Sequence, residues 1–314
     1  MAVSVHAPPR RDHERARGTR IRAWPENRPI DATYHLGFLA TEIAVRCLFS
    51  QHISAADMGE VVAGMETLMD WVGRVGLGPM GTRAAGLPTP LNRRFRRSLR
   101  SLHGIVGRSI DGRHGCAQPV DDLLEVLLAA RDTATGLLPG DQQVRDEVLA
   151  CMMAGADATT HTLAWALYLL GRHPDVLTRL RQETDTALGD RAATVDDLPK
   201  LPHTGQILAE TLRLYPPGYL LSRRTKTEIC TGGYTLPAGV TVAYSPWAQH
   251  RDPKLFPDPL AFTPDRWAGR HLSTSARDVY LPFGTFERAR QRGPVRPDAN
   301  VGGQQASPTR PAAT

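Results

Sequence analysis

The chain has 314 residues, 41% hydrophobic and 22% charged, a composition that excludes low-complexity, collagen-like and wholly disordered classes. Its net charge of +6 is carried largely by two arginine-rich stretches, Pro8–Arg22 and Glu287–Arg296, and the sequence shows no nucleic-acid motif interleaved with aromatics, so a nucleic-acid partner is not expected. The four cysteines, Cys47, Cys116, Cys151 and Cys230, show neither C-x-x-C pairing nor zinc spacing with histidine, and fit a reducing cytoplasm better than a disulfide scaffold.

Residues 1–29 are rich in Pro and Arg, lack an apolar leader segment and are expected to be disordered. Ile30–Phe49 reads as a helix with Asp31 as its cap. Ser54–Val75 is a second helix, with Met58, Val61, Val62, Met65 and Met69 at helical spacing. Gly76–Pro90 is a loop by its Gly and Pro content, and Leu91–Ile110 is a basic amphipathic helix whose arginines read most simply as a solvated face, a redox-partner or membrane contact being the alternative. Val120–Asp132 is another helix. Pro139–Pro174 predicts one long helix, capped by Asp141 and ending at Gly171 or Arg172. It is apolar on most sides and is expected at the centre of the fold. Within it, Val148–Leu170 is interrupted by Asp157, His161 and three threonines, so it predicts a core helix and no membrane span. Pro174 opens the next helix, with Val176, Leu177, Leu180, Ala187 and Leu188 on one face. His203–Pro217 is a helix stopped by paired prolines. Thr225–Ser245 then alternates with period two and predicts short strands joined at Gly232-Gly233 and Pro237-Ala238-Gly239. Pro246–Gly284 reads as coil. The predicted class is mainly α, with a small β region and a long central helix.

After Gly284 the chain changes character. From Thr285 to Thr314 the large apolar residues are Phe286, Val295 and Val301, too few to offset the entropy of ordering, so 285–314 is expected to be a disordered tail.

Several residues carry chemistry at readable spacing. Glu210 and Arg213, three apart, share a helix face. Arg266 in the Phe262–Trp267 stretch offers a second guanidinium, and a carboxylate between two guanidiniums can fix a helix against a coil. In the central helix Gly155, Asp157, Thr159 and Thr160 oppose helix propensity; they mark either a tolerated kink or a functional distortion.

"AGADATT" in a long helix, "ETLR" followed by "LYPP", then "HRDP", "FTPDRW" and "LPFG" occur in this order. Together they resemble the cytochrome P-450 family, haem-thiolate monooxygenases, of the soluble bacterial type. The resemblance runs from about Ile30 to Gly284. It begins after the family's substrate-recognition loop and the helix that clasps one haem propionate, which implies a partial domain over 30–284. By that resemblance Glu210, Arg213 and Arg266 form the family's structural lock. Arg223 is the propionate-binding arginine, Gly155 and Asp157 lie in the oxygen-binding groove, and Asp157 and Thr159 are the candidate catalytic residues. Phe283, Gly284 and Arg288 are the remaining cofactor-binding positions. The implied cofactor is haem iron. The implied partners are a small apolar substrate and a ferredoxin- or flavodoxin-type electron donor.

Two departures stand out. Where the family carries a threonine after the acid, this chain has Ala158, and Thr159 is displaced from that position by about 100° around the helix. Where the family motif F-G-x-G-x-R-x-C-x-G places its haem-ligating cysteine, the window "FGTFERARQR" has Arg290, with Phe286 at the inner glycine position and Arg292 at the last. An arginine is cationic and offers no acceptor, so it cannot replace a thiolate. The break in composition points to a shifted reading frame or to pseudogene-like decay just after Gly284. The resemblance therefore implies an impaired oxygenase; the alternative is a haem-free remnant serving as a helical ligand-binding or interaction protein.

Overall fold

The computed structural model describes residues 30–49, 54–76, 81–114, 122–130, 138–231, 233–269 and 279–284. The segments assigned above to disorder, 1–29 and 285–314, lie outside them, as do Cys116, Arg288 and Arg290.

Seven longer helices follow in order: α1 (Ala32–Phe49), α2 (Ala55–Trp71), α3 (Pro90–His114), α4 (Leu123–Ala129), α5 (Asp141–Arg172), α6 (Pro174–Leu188) and α7 (Pro202–Leu214). Asp31 caps α1 by accepting from the Tyr34 amide at 3.1 Å, and Ser54 caps α2 by accepting from the Asp57 amide at 3.0 Å. α2 ends in a π turn, Val72–Gly76, and the predicted loop after it contains a 3-10 turn, Gly81–Gly86. Buried Asn92 fastens this corner. Its amide donates to the Ala84 and Leu87 carbonyls, both at 2.8 Å, and its Oδ1 accepts from Trp71 Nε1 at 2.7 Å. α3 has the expected amphipathic form, with Leu102, Ile105, Val106 and Ile110 buried and Arg93, Arg94, Arg96, Arg97 and Arg100 exposed.

α4 is shorter than its sequence pattern at both ends: Asp122, whose buried side chain pairs with buried Arg113, is its N-cap, and the backbone turns extended at Ala130. α5 runs for 32 residues without a break. Gly140, not Asp141, is its N-cap; Asp141 has helical backbone and is the first residue of the helix. The hydroxyls of Thr159, Thr160 and Thr162 each donate to the carbonyl four residues back, at 2.7–2.8 Å. This satisfies them within the helix and leaves its continuity intact.

The β region comprises two antiparallel pairs. β2 (Ile229–Thr231) and β3 (Tyr234–Leu236) form a hairpin turned at Gly233, whose φ of +81° suits a residue without Cβ. β1 (Leu221–Arg224) pairs with β4 (Thr241–Tyr244), Leu221 opposite Tyr244 and Arg224 opposite Thr241. The predicted strands thus belong to two sheets. The segment from Pro246 on also contains α8 (Pro246–Gln249) and a 3-10 turn, Pro264–Trp267.

The core has two clusters. The larger joins α1, α2, α3, α4 and the first half of α5 around Val45, Val61, Leu102, Ile110, Leu124 and Val148. At its centre α2 and α3 approach closely: a Cβ at Gly64 would meet the Leu102 side chain at 3.1 Å. The smaller joins the end of α5 to α6, α7 and the coil through Leu169, Leu170, Val176, Ile207, Leu214 and Phe262. Among the described residues no helix is long and apolar enough to cross a membrane.

Candidate functional site: a carboxylate lock and the turn it carries

α7 begins at Pro202, and its first turn is held from outside. Glu183 on α6 accepts from the His203 amide at 2.6 Å, the Thr204 amide at 2.9 Å and the Thr204 hydroxyl at 2.7 Å. Burial would raise the Glu183 carboxyl; the Thr204 hydroxyl and the two amides outweigh it and hold the group below its ordinary value. One turn short of its end, α7 presents Glu210 and Arg213, both 0% exposed.

Glu210 accepts five hydrogen bonds, from Arg213 Nε and Nη2, Arg266 Nε, Trp267 Nε1 and the Thr263 amide, at 2.8–3.2 Å. Arg213 spends its remaining donors on the carbonyls of His250, Pro259 and Ala261, at 2.7–3.0 Å. Arg266 reaches the Pro257 and Asp258 carbonyls at 2.7 and 3.3 Å. A buried charge survives only when paired and hydrogen-bonded. Here one carboxylate and two guanidiniums bind α7 to the coil between His250 and Trp267.

His250 extends the cluster. Its Nδ1 donates to the Arg213 carbonyl at 3.1 Å, and its Nε2 accepts from the Leu281 amide at 2.8 Å. That pattern requires neutral imidazole. Burial lowers its pKa to about 4, the Arg213 and Arg251 charges adding to the effect. Tyr280 lies between the His250 and Trp267 rings, with centroids at 5.5 and 4.7 Å, and donates to the Ala209 carbonyl at 3.1 Å. Burial pushes its phenol well above the ordinary value. The Leu281–Gly284 turn is thereby tied to the lock. It closes with the Gly284 amide on the Leu281 carbonyl at 3.1 Å, Gly284 having φ of +79°. Phe283, in the same turn, is 58% exposed.

At the middle of α5, Asp157 and His161 are half-exposed neighbours, with His161 Nδ1 2.9 Å from the Asp157 carbonyl and 3.3 Å from Oδ1. The bond to the Asp157 carboxylate raises the His161 pKa. Both line a cavity of about 340 Å³ between α1, α2 and α5, whose apolar wall includes Met65, Met69 and Met153. Thr159 is exposed, and its hydroxyl is occupied by the Gly155 carbonyl. Gly155, also exposed on α5, has Ala44 Cβ 3.6 Å from where its own Cβ would stand. Arg223 lies on β1, exposed and opposite Val242.

The structure thus brings together Glu210, Arg213 and Arg266, and places Gly155, Asp157 and Thr159 within two turns of one helix. The sequence reading missed His250, Thr263 and Trp267 as members of the cluster. "HRDP" and "FTPDRW" contained them, but their roles depend on contacts 31–57 residues away in sequence.

The family model for cytochrome P-450 matches residues 19–289. The chain belongs to the cytochrome P-450 family.

It is 37% identical over 268 residues to cyclooctatin synthase of Streptomyces melanosporofaciens, covering 85% of this chain and 58% of that protein. It is 36% identical over 265 residues to pentalenene oxygenase of Streptomyces avermitilis, covering 84% of this chain and 58% of that protein. Among solved structures, retinoic acid bound cyanobacterial CYP120A1 superposes with a TM-score of 0.72 at 25% identity, covering 87% of this chain and 60% of that one. The chain thus spans somewhat under two thirds of the length of these cytochromes P-450. Their overlap accounts for the mainly helical fold with small sheets.

The family implies haem, and the donor set decides whether these residues fit it. Among the described residues the cysteines are Cys47 on α1 and Cys151 on α5, both half-buried, and Cys230, exposed on β2. None lies in or beside the Leu281–Gly284 turn. Arg290, which the resemblance sets at the ligand position, lies outside the described residues. Among the described residues no cysteine is placed to give a haem an axial thiolate from the Leu281–Gly284 turn.

Proposed function

We propose that this chain carries the scaffold of an O2-dependent cytochrome P-450 monooxygenase but does not complete the reaction as it stands. The scaffold reading rests on the family match and on relatives named as a cyclooctatin synthase, a cyclooctat-9-en-7-ol 5-monooxygenase and a pentalenene oxygenase. Those names point to hydroxylation of a small apolar terpene, with electrons from a ferredoxin- or flavodoxin-type donor. In such an enzyme the haem iron is the oxidant, and the protein contributes pocket, ligand and proton path. In this chain residues 30–284 form the partial catalytic domain. Glu210, Arg213 and Arg266 hold α7 to the coil, and Asp157 is the titratable group of the α5 groove, with Thr159 beside it. Gly155, Arg223, Phe283, Gly284 and Arg288 are the positions left over from cofactor binding.

One observation carries the reading of an impaired enzyme: the turn that should lead into the ligand loop is built and anchored through His250, yet an arginine follows where sulfur is required. The test is the absorbance spectrum of the purified full chain, produced with haem supplied, reduced and treated with CO. No red-shifted Soret band is expected. Stoichiometric haem with the red-shifted band of thiolate ligation would overturn the proposal.

A further inference from the structure

A second cavity, of about 380 Å³, opens where the end of α5 meets the end of α7 and the coil before Thr263. It is separate from the groove at the middle of α5, because Arg172 lies fifteen residues beyond Asp157, about 22 Å along the helix axis. Its floor is apolar and buried, formed by Leu169, Leu214 and Phe262. Tyr168 and Tyr215 wall it with rings, and Arg172, His173 and Arg251 supply its charge and polarity. No carboxylate lines it.

The two guanidiniums differ from Arg179, Arg213 and Arg266. Arg213 and Arg266 share Glu210, and Arg179 is bidentate to Asp265 with both bonds at 2.8 Å. Neither Arg172 nor Arg251 has an ion pair among the described residues. Arg172 rests 5.7 Å from the Tyr168 ring centroid. Arg251 lies 4.1 Å over Trp247 and 5.7 Å over Tyr215, and its guanidinium makes one hydrogen bond among the described residues, a 3.3 Å contact to the Trp247 carbonyl. Arg251 is half-buried, and burial lowers its pKa from the ordinary value. A partly desolvated guanidinium with most of its donors unused favours an anion, and the planar fork suits a carboxylate. Tyr215 is already ordered by stacking on Trp165, with centroids 3.8 Å apart and planes within 2°. His173 is fixed through Nδ1, which donates to the Leu169 carbonyl at 2.8 Å. The volume falls in the range of small-molecule sites, about 300–1,000 Å³.

We propose that this cavity binds a small aromatic carboxylate, its acid group paired with Arg172 and Arg251 and its ring laid on the Leu214–Phe262 floor beside Tyr215. The site is independent of haem.

Calorimetric titration of the full chain tests it with three probes: 2-naphthoate, its neutral counterpart 2-naphthalenemethanol, and inorganic phosphate. Naphthoate is expected to bind one per chain, at least about tenfold tighter than either of the others. Arg251→Gln and Arg172→Gln should each weaken naphthoate by about fivefold or more, while Lys254→Gln, on the same exposed coil but outside the cavity, leaves it unchanged. Arg172 is exposed at a helix end, so R172Q remains informative should R251Q fold poorly. Equal affinity for naphthoate and the alcohol, phosphate binding as tightly as naphthoate, unchanged affinity in both arginine variants, or no naphthoate binding at millimolar concentration each overturns the proposal.

Discussion

Replacing Glu210 by alanine removes the common acceptor of five donors. The two guanidiniums keep their carbonyl partners, so the loss is that of counter-charge rather than of every bond. Breaking a buried ion pair from one side costs about 3–5 kcal/mol. The Trp267 indole and the Thr263 amide are orphaned as well, at about 1–3 kcal/mol each where water does not reach them. These costs overlap, and about 4–5 kcal/mol is the expected total. In a urea titration followed by far-UV circular dichroism, a slope near 2 kcal/mol/M turns this into a midpoint lower by about 2 M. Glu210→Gln, which keeps the volume but loses the charge, should fall between wild type and alanine. A midpoint shift below about 0.3 M for Glu210→Ala would mean that the carboxylate is solvated, and would refute the reading of the cluster as a buried lock.

Asp122→Ala should cost about 3–5 kcal/mol in the same titration, because it strands Arg113 in the interior and uncaps α4; a loss under about 1 kcal/mol would contradict that. His250 predicts a pH dependence. Its folded pKa of about 4 lies below the unfolded value near 6.5, so between these limits the unfolded chain binds the extra proton. The stabilisation is therefore complete above about pH 6.5 and lost as pH falls toward 4, by about 3 kcal/mol at most. Unfolding midpoints at pH 7.5 and 4.5 should differ by less in His250→Gln than in the parent chain, and equal differences would remove His250 from the account.

Much of the helical framework was legible because its signals are local. Met58, Val61, Val62 and Met65 recur at helical spacing and are buried on α2; the span from Pro139 to Pro174 encloses α5, and the paired prolines after Tyr215 mark the end of α7. What escaped depends on distant partners. β1 has a Leu-Ser-Arg-Arg sequence without alternation, and it is a strand only because β4, about twenty residues on, pairs with it. The turn at Gly81–Gly86 hides in a Gly- and Pro-rich stretch and owes its shape to buried Asn92. In the candidate site, Glu210 and Arg213 were readable from their spacing, whereas His250 acquires its meaning from the Arg213 carbonyl on one side and the Leu281 amide on the other.

α5 is the one helix that contributes buried side chains to both apolar clusters among the described residues, Val144 to Met152 in the first and Leu169 and Leu170 in the second. Each half of the protein can therefore loosen while the other stays closed, provided that this rod remains wound. Amide protection along it should consequently be greater than in α2 or α6, and the slowest-exchanging protons of the molecule should trace a single line through both halves.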